Sequence, residues 1–263
     1  MKKPKIGIVG YGMVGRAVHA WFTRAAIYSP RQFPDGMEKV NRADIVFLTV
    51  PTPYHPKTGY DVRMVNDATR KITGRKIIVL KSTVLPGTTA ALQRKFPKHT
   101  WLFNPEFLRD KTAVQDFLKP DRQIIGLARN SSRHRRAARF VMKLLPRTPY
   151  DAFTTTTEAE IIKLGANCFL ATKVVFANMV YELCKRLNAD YDAVKEGIGR
   201  DPRITTSMMK VLQDGYRGYS GKCFPKDMGA LVWYGKKTKH RFPLLEIADA
   251  TNWKLLPKRQ RHR

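Results

Sequence analysis

The hydrophobic positions in the first half of the chain form short runs separated by stretches of helical periodicity. The runs lie at residues 5–9, 26–29, 44–50, 76–80 and 122–126. The strongest of them are apolar nearly throughout and rich in β-branched residues, which is typical of strands covered on both faces of a parallel sheet. Their alternation with helices predicts an α/β, Rossmann-type doubly wound sheet over residues 1–150.

The second half of the chain has helical patterns only. Residues 157–187 have the periodicity of one long helix, and Thr157 with Glu160 has the spacing of a capping box at its start. Shorter helical patterns follow at residues 191–197, 205–212, 227–236 and 243–256. We therefore predict an α-helical domain with a long central helix over residues 151–256, followed by a basic tail over residues 257–263.

Charge is the unusual feature of the composition. The chain has 49 Lys and Arg residues against 21 Asp and Glu residues, a formal net charge of +28. Such an excess indicates affinity for anionic ligands or polyanions, and it is densest at residues 129–139 and in the tail. No known nucleic-acid module or interleaved aromatic residues accompany it in the sequence, so a solvated basic surface is favoured and nucleic-acid binding stays open.

The remaining composition narrows the class of protein. Three cysteines, Cys168, Cys184 and Cys223, do not form the even, closely spaced set of a disulfide framework, and neither they nor the six histidines have zinc-site spacing. No run of about 18 apolar residues predicts a membrane span, and the first residues lead directly into a strand rather than a signal segment. We expect a reduced, cytoplasmic protein without a metal.

A glycine-rich turn, GYGMVG at residues 10–15, follows the first strand and opens a helix. In this context Gly10 makes a tight turn, Gly12 lets the backbone approach a pyrophosphate, and Gly15 allows the helix to pack closely on the strand. Met13 lies in the turn and Val14 begins the predicted helix, whose N-terminal dipole favours the phosphates. The turn predicts a dinucleotide cofactor.

The residue after the second strand bears on the kind of dinucleotide. An acidic residue is expected there to hold the ribose hydroxyls, but the sequence has Ser29, with Arg31 close by. A serine and an arginine could accommodate the 2′-phosphate of NADP, whereas Arg31 could equally be one more surface arginine. NAD and NADP therefore both stay open.

Cys223 is the candidate nucleophile. The glycine-rich segment before it can approach a substrate closely, and Pro225 suits the first turn of a following helix. Lys222 and Lys226 would favour the thiolate, and Asp227 lies one helical turn further on. A buried structural cysteine is the alternative interpretation.

Lys163 and Asn167 have i, i+4 spacing on the long predicted helix, so both project from one face. A lysine and an amide on one face can stabilise an oxyanion. A solvated helix face is the ordinary alternative for such a pair.

Taken together, these segments resemble the UDP-glucose/GDP-mannose dehydrogenase family over nearly the whole chain. The matching segments are residues 51–60, KSTV and PGTT within 81–89, NPEFLR at 104–109, FLKPDR at 117–122, 160–172, DPRI at 201–204 and CFPKD at 223–227. The NPEFLR and PDR segments favour the UDP-glucose branch over the GDP-mannose and N-acetylmannosamine branches.

The resemblance implies a four-electron oxidation, in which the primary alcohol of a UDP-sugar such as UDP-glucose becomes a carboxylate and two NAD are reduced. Cys223 would attack the aldehyde to form a thiohemiacetal, which is oxidised to a thioester and hydrolysed. Lys163 and Asn167 would stabilise the oxyanions. Glu106 would assist proton transfer, and Asp227 with Thr83 would position the water.

The resemblance also implies binding residues and a homodimer. Phe107 and Leu108 would line the sugar-nucleotide site, and Arg203 would reach the substrate of the neighbouring subunit. The further expected contacts are Tyr219 and Gly221 for the substrate, and Pro51, Thr52 and Thr83 for the cofactor.

The sequence departs from the family pattern at three points. Family members have a third domain that holds the uridine diphosphate, whereas this sequence stops just after residues 244–252, which resemble the start of the connecting helix; we expect a minimal enzyme without that domain. Ser220 replaces a glycine of the family's loop before the cysteine, which predicts a less close approach to substrate. Ser29 replaces an acidic residue.

Two other functions stay open. The first is a two-electron NAD(P) dehydrogenase for a simpler hydroxy acid, because related dehydrogenases also carry a lysine and an asparagine one helical turn apart; those enzymes do not need Cys223. The second is a basic nucleic-acid-binding protein on a dehydrogenase fold. The leading hypothesis is a minimal nucleotide-sugar 6-dehydrogenase.

Overall fold

The computed structural model describes residues 3–213 and 215–260. The strands are β1 (Ile6–Val9), β2 (Ala26–Tyr28), β3 (Ile45–Leu48), β4 (Tyr54–His55), β5 (Gly59–Tyr60), β6 (Ile77–Leu80), β7 (Thr100–Phe103), β8 (Arg122–Leu127), β9 (Tyr150–Thr155), β10 (Leu212–Gln213) and β11 (Tyr216–Arg217). The α-helices are α1 (Met13–Trp21), α2 (Met37–Asn41), α3 (Arg63–Lys71), α4 (Thr88–Lys95), α5 (Ala113–Leu118), α6 (Ser132–Leu144), α7 (Thr156–Arg186), α8 (Tyr191–Gly199), α9 (Phe224–Lys237) and α10 (Pro243–Leu255).

The chain forms two compact units. The first comprises Met1–Pro53 and Tyr60–Lys163, and the second comprises Tyr54–Gly59 and Leu164–Arg263. No helix among the described residues is long and apolar enough to cross a membrane. In the same part of the chain, no group of three or more His, Cys, Asp or Glu side chains is arranged to hold a metal ion.

The first unit is built on a seven-stranded sheet in the order β2-β1-β3-β6-β7-β8-β9. β2, β1, β3, β6 and β7 are parallel to one another, and every residue of β3 and β7 is buried. Helices cover the sheet and bury apolar clusters against it, as expected for strands that are apolar on both faces. The expected Rossmann-type α/β fold is confirmed. β7 was not predicted from the sequence, because only one of its four residues is β-branched, whereas β1, β3 and β6 have two or three each.

The far side of the sheet differs from a purely parallel arrangement. β8 pairs antiparallel with β7, and β9 pairs parallel with β8. β9 is an edge strand with no fully buried residue, so it lacks the continuous apolar run that indicated the other strands. The boundary that we predicted after residue 150 falls after the first residue of this strand, and the first unit continues to Lys163, within α7.

The start of α7 also differs in detail from the prediction. The reciprocal capping box is formed by Thr155 and Glu158: the Thr155 N–H donates to Glu158 Oε2 at 2.7 Å, and the Glu158 N–H donates to Thr155 Oγ1 at 3.3 Å. Thr157 and Glu160 have the same spacing, so sequence alone could not distinguish the two pairs. Glu160 is buried and has other partners.

The second unit packs α9 and α10 around the C-terminal part of α7. Cys168 is buried in its main apolar cluster, and Cys184 is buried in a smaller one beside α8. The helix that we predicted over residues 205–212 is absent from this described segment. Thr205 and Met208 have positive φ angles of 58° and 63°, which break a helix, and Leu212 begins the hairpin of β10 and β11.

Candidate active site

The glycine turn between β1 and α1 has the geometry that a dinucleotide requires. Gly10 has a φ of 97°, and a Cβ there would lie 2.8 Å from the Thr49 carbonyl oxygen; a Cβ on Gly15 would lie 2.2 Å from the Gly10 oxygen. Gly12 is different, since it is exposed and a Cβ there would have no other atom within 4 Å. The first and last glycines thus serve packing, and Gly12 leaves open space for a ligand.

The start of α1 fits the phosphates of such a ligand. Gly12 is its N-cap residue and provides no side-chain cap, so the first N–H groups of the helix, beginning at Met13 and Val14, are not capped by it. Thr49 Oγ1 lies 2.8 Å from the Gly10 oxygen and 3.1 Å from the Val9 oxygen. Thr49 therefore ties the turn to the end of β3, a role that sequence analysis did not identify.

The residues after β2 do not decide between the two cofactors. Ser29 is buried, and its hydroxyl donates to Gln32 Oε1 at 3.0 Å. Arg31 is exposed. The local chain therefore holds the Ser29 side chain in place, and Arg31 is available to solvent or to a ligand.

The loops after β3 and β6 are joined at the carboxyl ends of these parallel strands, where α/β proteins bind their ligands. Thr52 Oγ1 donates to the Thr83 carbonyl oxygen at 2.6 Å, and Ser82 Oγ donates to the Val50 carbonyl oxygen at 2.6 Å. Thr52 and Thr83 are buried, and Pro51 is exposed. The predicted cofactor residues Thr52 and Thr83 are thus in direct contact.

Two of the predicted catalytic residues form an ion pair within the first unit. Lys163 Nζ lies 2.7 Å from Glu106 Oε1, and these side chains are only 4% and 7% exposed. The other carboxylate oxygen of Glu106 accepts the Leu108 N–H at 2.9 Å. Both carboxylate oxygens therefore have a donor, and the carboxylate is held in one orientation.

Phe107 lies among the cations of this region. The Arg122 guanidinium is 3.8 Å from the centroid of its ring, and Lys163 Nζ is 5.8 Å from it. Phe107 and Leu108 are half-buried, so part of each side chain reaches solvent. This fits the expected lining of a binding site.

A second buried lysine, Lys81, is close enough to Glu106 to be affected by its charge. No role was predicted for Lys81 itself from the sequence. Its Nζ donates to Asn104 Oδ1 at 2.7 Å, and burial lowers the pKa of Lys81 to about 7, against an opposing effect of Glu106. Asn104 in turn donates to the Ile124 carbonyl oxygen at 2.8 Å. The only signal in the sequence was membership of the KSTV and NPEFLR segments.

In the second unit, Asn167 and Asp227, each predicted separately as a catalytic residue, are in contact. Asn167 Nδ2 donates to Asp227 Oδ2 at 2.6 Å, and Lys226 forms an ion pair with Asp227 Oδ1. Asp227 is 1% exposed and lies in the first turn of α9. Since Lys163 is one turn before Asn167 on α7, the helix carries an ammonium group and an amide that each contact a carboxylate.

Cys223 is the N-cap residue of α9, and its carbonyl oxygen accepts the Asp227 N–H at 3.0 Å. The side chain is half-buried, whereas Cys168 and Cys184 are buried. A helix N-terminus favours negative charge on the sulfur. In the loop before it, Gly221 has a φ of 81° and is exposed, so the backbone there is open to an approaching molecule.

Tyr219 and Arg203, which we predicted to contact the substrate, both make contacts within the second unit. The Tyr219 ring is 3% exposed, and its backbone N–H and carbonyl oxygen both bond to the Asn252 amide, at 2.7 and 2.9 Å. Tyr219 therefore anchors the loop with its backbone. Arg203 is exposed and forms an ion pair with Asp201 at 2.6 Å.

Two domains of one protein family match two successive parts of the chain. Residues 31–143 match the NAD binding domain of the UDP-glucose/GDP-mannose dehydrogenase family, and residues 157–254 match the central domain of the same family. The chain belongs to the UDP-glucose/GDP-mannose dehydrogenase family. The match to its NAD binding domain supports a nicotinamide cofactor.

Individual relatives agree with the family assignment. The chain is 37% identical over 229 residues to UDP-glucose 6-dehydrogenase TuaD of Bacillus subtilis (strain 168), covering 82% of this chain and 47% of the relative. It is 37% identical over 226 residues to the UDP-glucose 6-dehydrogenase of Rhizobium meliloti (strain 1021), covering 81% and 51%. The chain thus spans about half the length of these relatives.

A solved structure agrees with the fold. A UDP-glucose dehydrogenase from the hyperthermophilic archaeon Pyrobaculum islandicum superposes with a TM-score of 0.82 at 29% identity, covering 96% of this chain and 68% of that one. The fold expected from the sequence and the family are thereby both confirmed.

Proposed function

We propose that this chain catalyses the four-electron oxidation of the primary alcohol of a UDP-sugar, UDP-glucose or a close relative, to the carboxylate. The observation that carries the proposal is the arrangement along α7. Lys163 contacts the Glu106 carboxylate and Asn167 contacts the Asp227 carboxylate, one helical turn apart. An ammonium and an amide that are oriented in this way can stabilise oxyanions, while the carboxylates accept protons.

The glycine turn, with Thr52 and Thr83, would hold a nicotinamide dinucleotide, and the bound cofactor would accept hydride from the substrate carbon. We propose NAD, with NADP as the alternative because Ser29 is not acidic. Ser29 and exposed Arg31 would lie by the adenosine ribose.

We propose that Cys223 carries the second oxidation. Its sulfur would add to the carbonyl carbon of the aldehyde to give a thiohemiacetal, and loss of a hydride and a proton would give a thioester. Attack of water on the thioester would then release the carboxylate product and return the thiol. Lys163 and Asn167 would stabilise the negative oxygen that develops in both additions.

The other residues would position substrate and water. Asp227 with Thr83 would orient the attacking water, and Glu106 would take up or return its proton. Phe107, Leu108 and the open backbone at Gly221 would contact the sugar nucleotide, with Tyr219 anchoring the loop. Arg203 would reach the substrate of a neighbouring subunit.

The test measures near-ultraviolet absorbance of reduced nicotinamide as the chain turns over UDP-glucose with NAD or NADP. We expect two reduced cofactors per UDP-glucuronate formed, and loss of that stoichiometry in Cys223→Ala. Cys184→Ala, at a buried cysteine outside these residues, is the matched control and should keep it. One reduced cofactor per product, with full turnover in Cys223→Ala, would contradict the proposal and indicate a two-electron dehydrogenase.

We further propose that two copies of the chain associate through α7. Apolar side chains with roughly half or more of their surface exposed recur along this helix at intervals of seven, three and four residues: Phe169, Phe176, Met179 and Leu183. This is the spacing of a helix–helix seam, and so large an apolar stripe is unusual on a monomer.

Light scattering after size-exclusion chromatography tests this association. The wild-type chain should have the mass of a dimer, and Phe176→Lys should have the mass of a monomer because it places a charge in the seam. Met64→Lys alters a similarly exposed apolar residue on α3 and should leave the mass unchanged. A monomeric wild-type chain would refute the association.

A further inference from the structure

A basic pocket of about 480 Å³ lies in the first unit at the edge of the sheet where β3, β6 and β7 begin. Four cationic residues line it: Arg75, Lys76, Arg133 and Arg136. Thr52, Thr83 and Glu106 follow the opposite, carboxyl ends of these strands, and the glycine turn follows the carboxyl end of β1, which is parallel to them. The pocket is therefore separate from the residues assigned to the dehydrogenase reaction.

The cations of this pocket are not neutralised by neighbouring carboxylates. The side chains of Arg75 and Arg136 are exposed and have no ion pair or hydrogen bond among the described residues. Arg133 donates to the Lys98 carbonyl oxygen at 3.0 Å, and Lys76 Nζ donates to the Asn41 carbonyl oxygen at 2.8 Å, so the acceptor of each is a neutral group. Asp44 is the one acidic residue of the lining, and its carboxylate accepts the backbone N–H of Lys5.

The positive surface extends well beyond the pocket. Further exposed cationic residues lie on the same edge of the sheet or on α6: Lys95, Lys98, Arg129, Arg135 and Arg139. Together with a net charge of +28, this spread of charge matches a ligand that carries a phosphate at each of many positions. A single small anion would satisfy the pocket and leave most of these charges unused.

An aromatic side chain completes the pocket. Phe140 is 42% exposed and lies on the same face of α6 as Arg133 and Arg136, seven and four residues after them. Arg75 and Lys76, from the loop before β6, lie on the same pocket. The fold thus combines an exposed aromatic ring with cations that are far apart in sequence, and single-stranded nucleic-acid sites use the same combination.

We propose that this pocket and the basic surface around it bind single-stranded nucleic acid. One unpaired base stacks on Phe140, and the adjoining phosphates contact Arg75, Lys76, Arg133 and Arg136. A duplex would not place a base on the ring, because its bases are already stacked and paired. Binding is tolerant of sequence, because every base presents a π-face and phosphates are alike.

Fluorescence anisotropy with a labelled single-stranded oligonucleotide of about 20 nucleotides tests the proposal, at an ionic strength of about 0.15 M. Phe140→Ala should weaken binding about tenfold through lost stacking, and Phe140→Trp should retain it. Arg75→Ala/Arg136→Ala should weaken binding and make it less dependent on salt, because fewer counterions are released. Neither arginine has a side-chain partner to lose among the described residues, so the fold should be unaffected.

Arg147→Ala/Arg186→Ala is the matched control, since it removes two guanidinium groups at exposed sites outside the pocket. It should change the affinity far less than Arg75→Ala/Arg136→Ala, and thermal melting should confirm that both variants fold. Equal loss in the two double variants would overturn the site, as would binding of a blunt duplex or a free mononucleotide as tight as that of the single strand. None of these outcomes bears on the dehydrogenase proposal, which NAD reduction tests separately.

Discussion

Lys163 and Glu106 form a buried ion pair within the first unit. Both side chains are more than nine-tenths removed from water, so neither charge is solvated and each depends on the other. Removing one partner of such a pair is much more costly than removing both, because the remaining charge is buried without compensation.

Substitution of Lys163 should therefore affect stability as well as activity. Lys163→Met should lower the free energy of unfolding by about 3–5 kcal/mol, measured by urea denaturation. Lys163→Met/Glu106→Gln should recover a large part of this loss, because it leaves no buried charge. A double variant as unstable as the sum of the two single variants would show that the charges are not coupled.

His99 is a buried residue whose protonation should affect the stability of the fold. Its side chain is fully buried and neither ring nitrogen has a partner among the described residues; burial, and then the nearby charges of Lys98, Lys76 and Arg133, lower its pKa to about 4. Between about pH 6.5 and pH 4 the unfolded chain binds a proton there that the folded chain does not. His99 therefore destabilises the fold progressively as the pH falls through this window.

Comparison of His99→Leu with the wild-type chain isolates this effect. The variant should gain stability relative to the wild-type chain as the pH falls from about 6.5 to about 4, by up to about 3 kcal/mol. Urea denaturation at several pH values gives the difference, and His240→Leu at an exposed site provides the control. A constant difference across this range would contradict the assignment.

Among the secondary-structure elements, the N-terminal part of α7 supports the start of α4. Glu160 accepts the Gly87 N–H at 2.6 Å, the Thr89 N–H at 2.8 Å and the Thr89 hydroxyl at 2.6 Å. Gly87 is the N-cap of α4 and has a φ of 89°, so the residue itself has no side chain with which to cap the helix. Burial raises the pKa of Glu160 to about 7, opposed by these donors.

Loss of this cap should destabilise the first unit. Glu160→Ala should lower the free energy of unfolding by about 2–3 kcal/mol, because the N–H groups of Gly87 and Thr89 lose their acceptor. Glu158→Ala removes an exposed carboxylate that caps α7 itself and should cost about 1 kcal/mol or less. Equal effects of the two substitutions in urea denaturation would show that the contact with α4 adds nothing.

At the scale of the whole molecule, net charge is the dominant feature. A charge of +28 produces a positive potential around the chain, which should attract a nucleotide sugar through its doubly charged pyrophosphate. Salt screens this attraction, with a Debye length of about 10 Å at an ionic strength of 0.1 M.

For the proposed oxidation of UDP-glucose, we therefore expect kcat/KM to fall steeply with added sodium chloride, whereas kcat, measured at saturating substrate, changes little. Steady-state kinetics at several salt concentrations provide the measurement. Sodium sulfate at matched ionic strength should have a similar effect, which would exclude a specific effect of chloride. A kcat/KM that is independent of salt would show that the charge does not steer this substrate.

Features that depend only on residues close together in the sequence could be predicted from the sequence alone. Apolar runs indicated five strands of the sheet, and the glycine pattern indicated the turn before α1. The prediction that Lys163 and Asn167 lie one turn apart on one helix was also correct, because α7 is continuous through both residues. Cys223 was expected at a helix start, where the structure has the N-cap of α9. Local periodicity and turn chemistry are sufficient for such features.

Contacts between distant segments were decided only by the tertiary structure. Residues from separate elements come together in four places. These are the ion pair of Glu106, the bonds of Glu160 to the start of α4, the contact of Thr49 with Gly10, and the pocket that Arg75 lines together with α6. The capping box of α7 lies at Thr155 and Glu158, whereas Glu160, which has the same spacing from Thr157, binds the start of α4. Burial of a charge or donor makes a specific partner necessary, and which partner is available depends on how the chain folds.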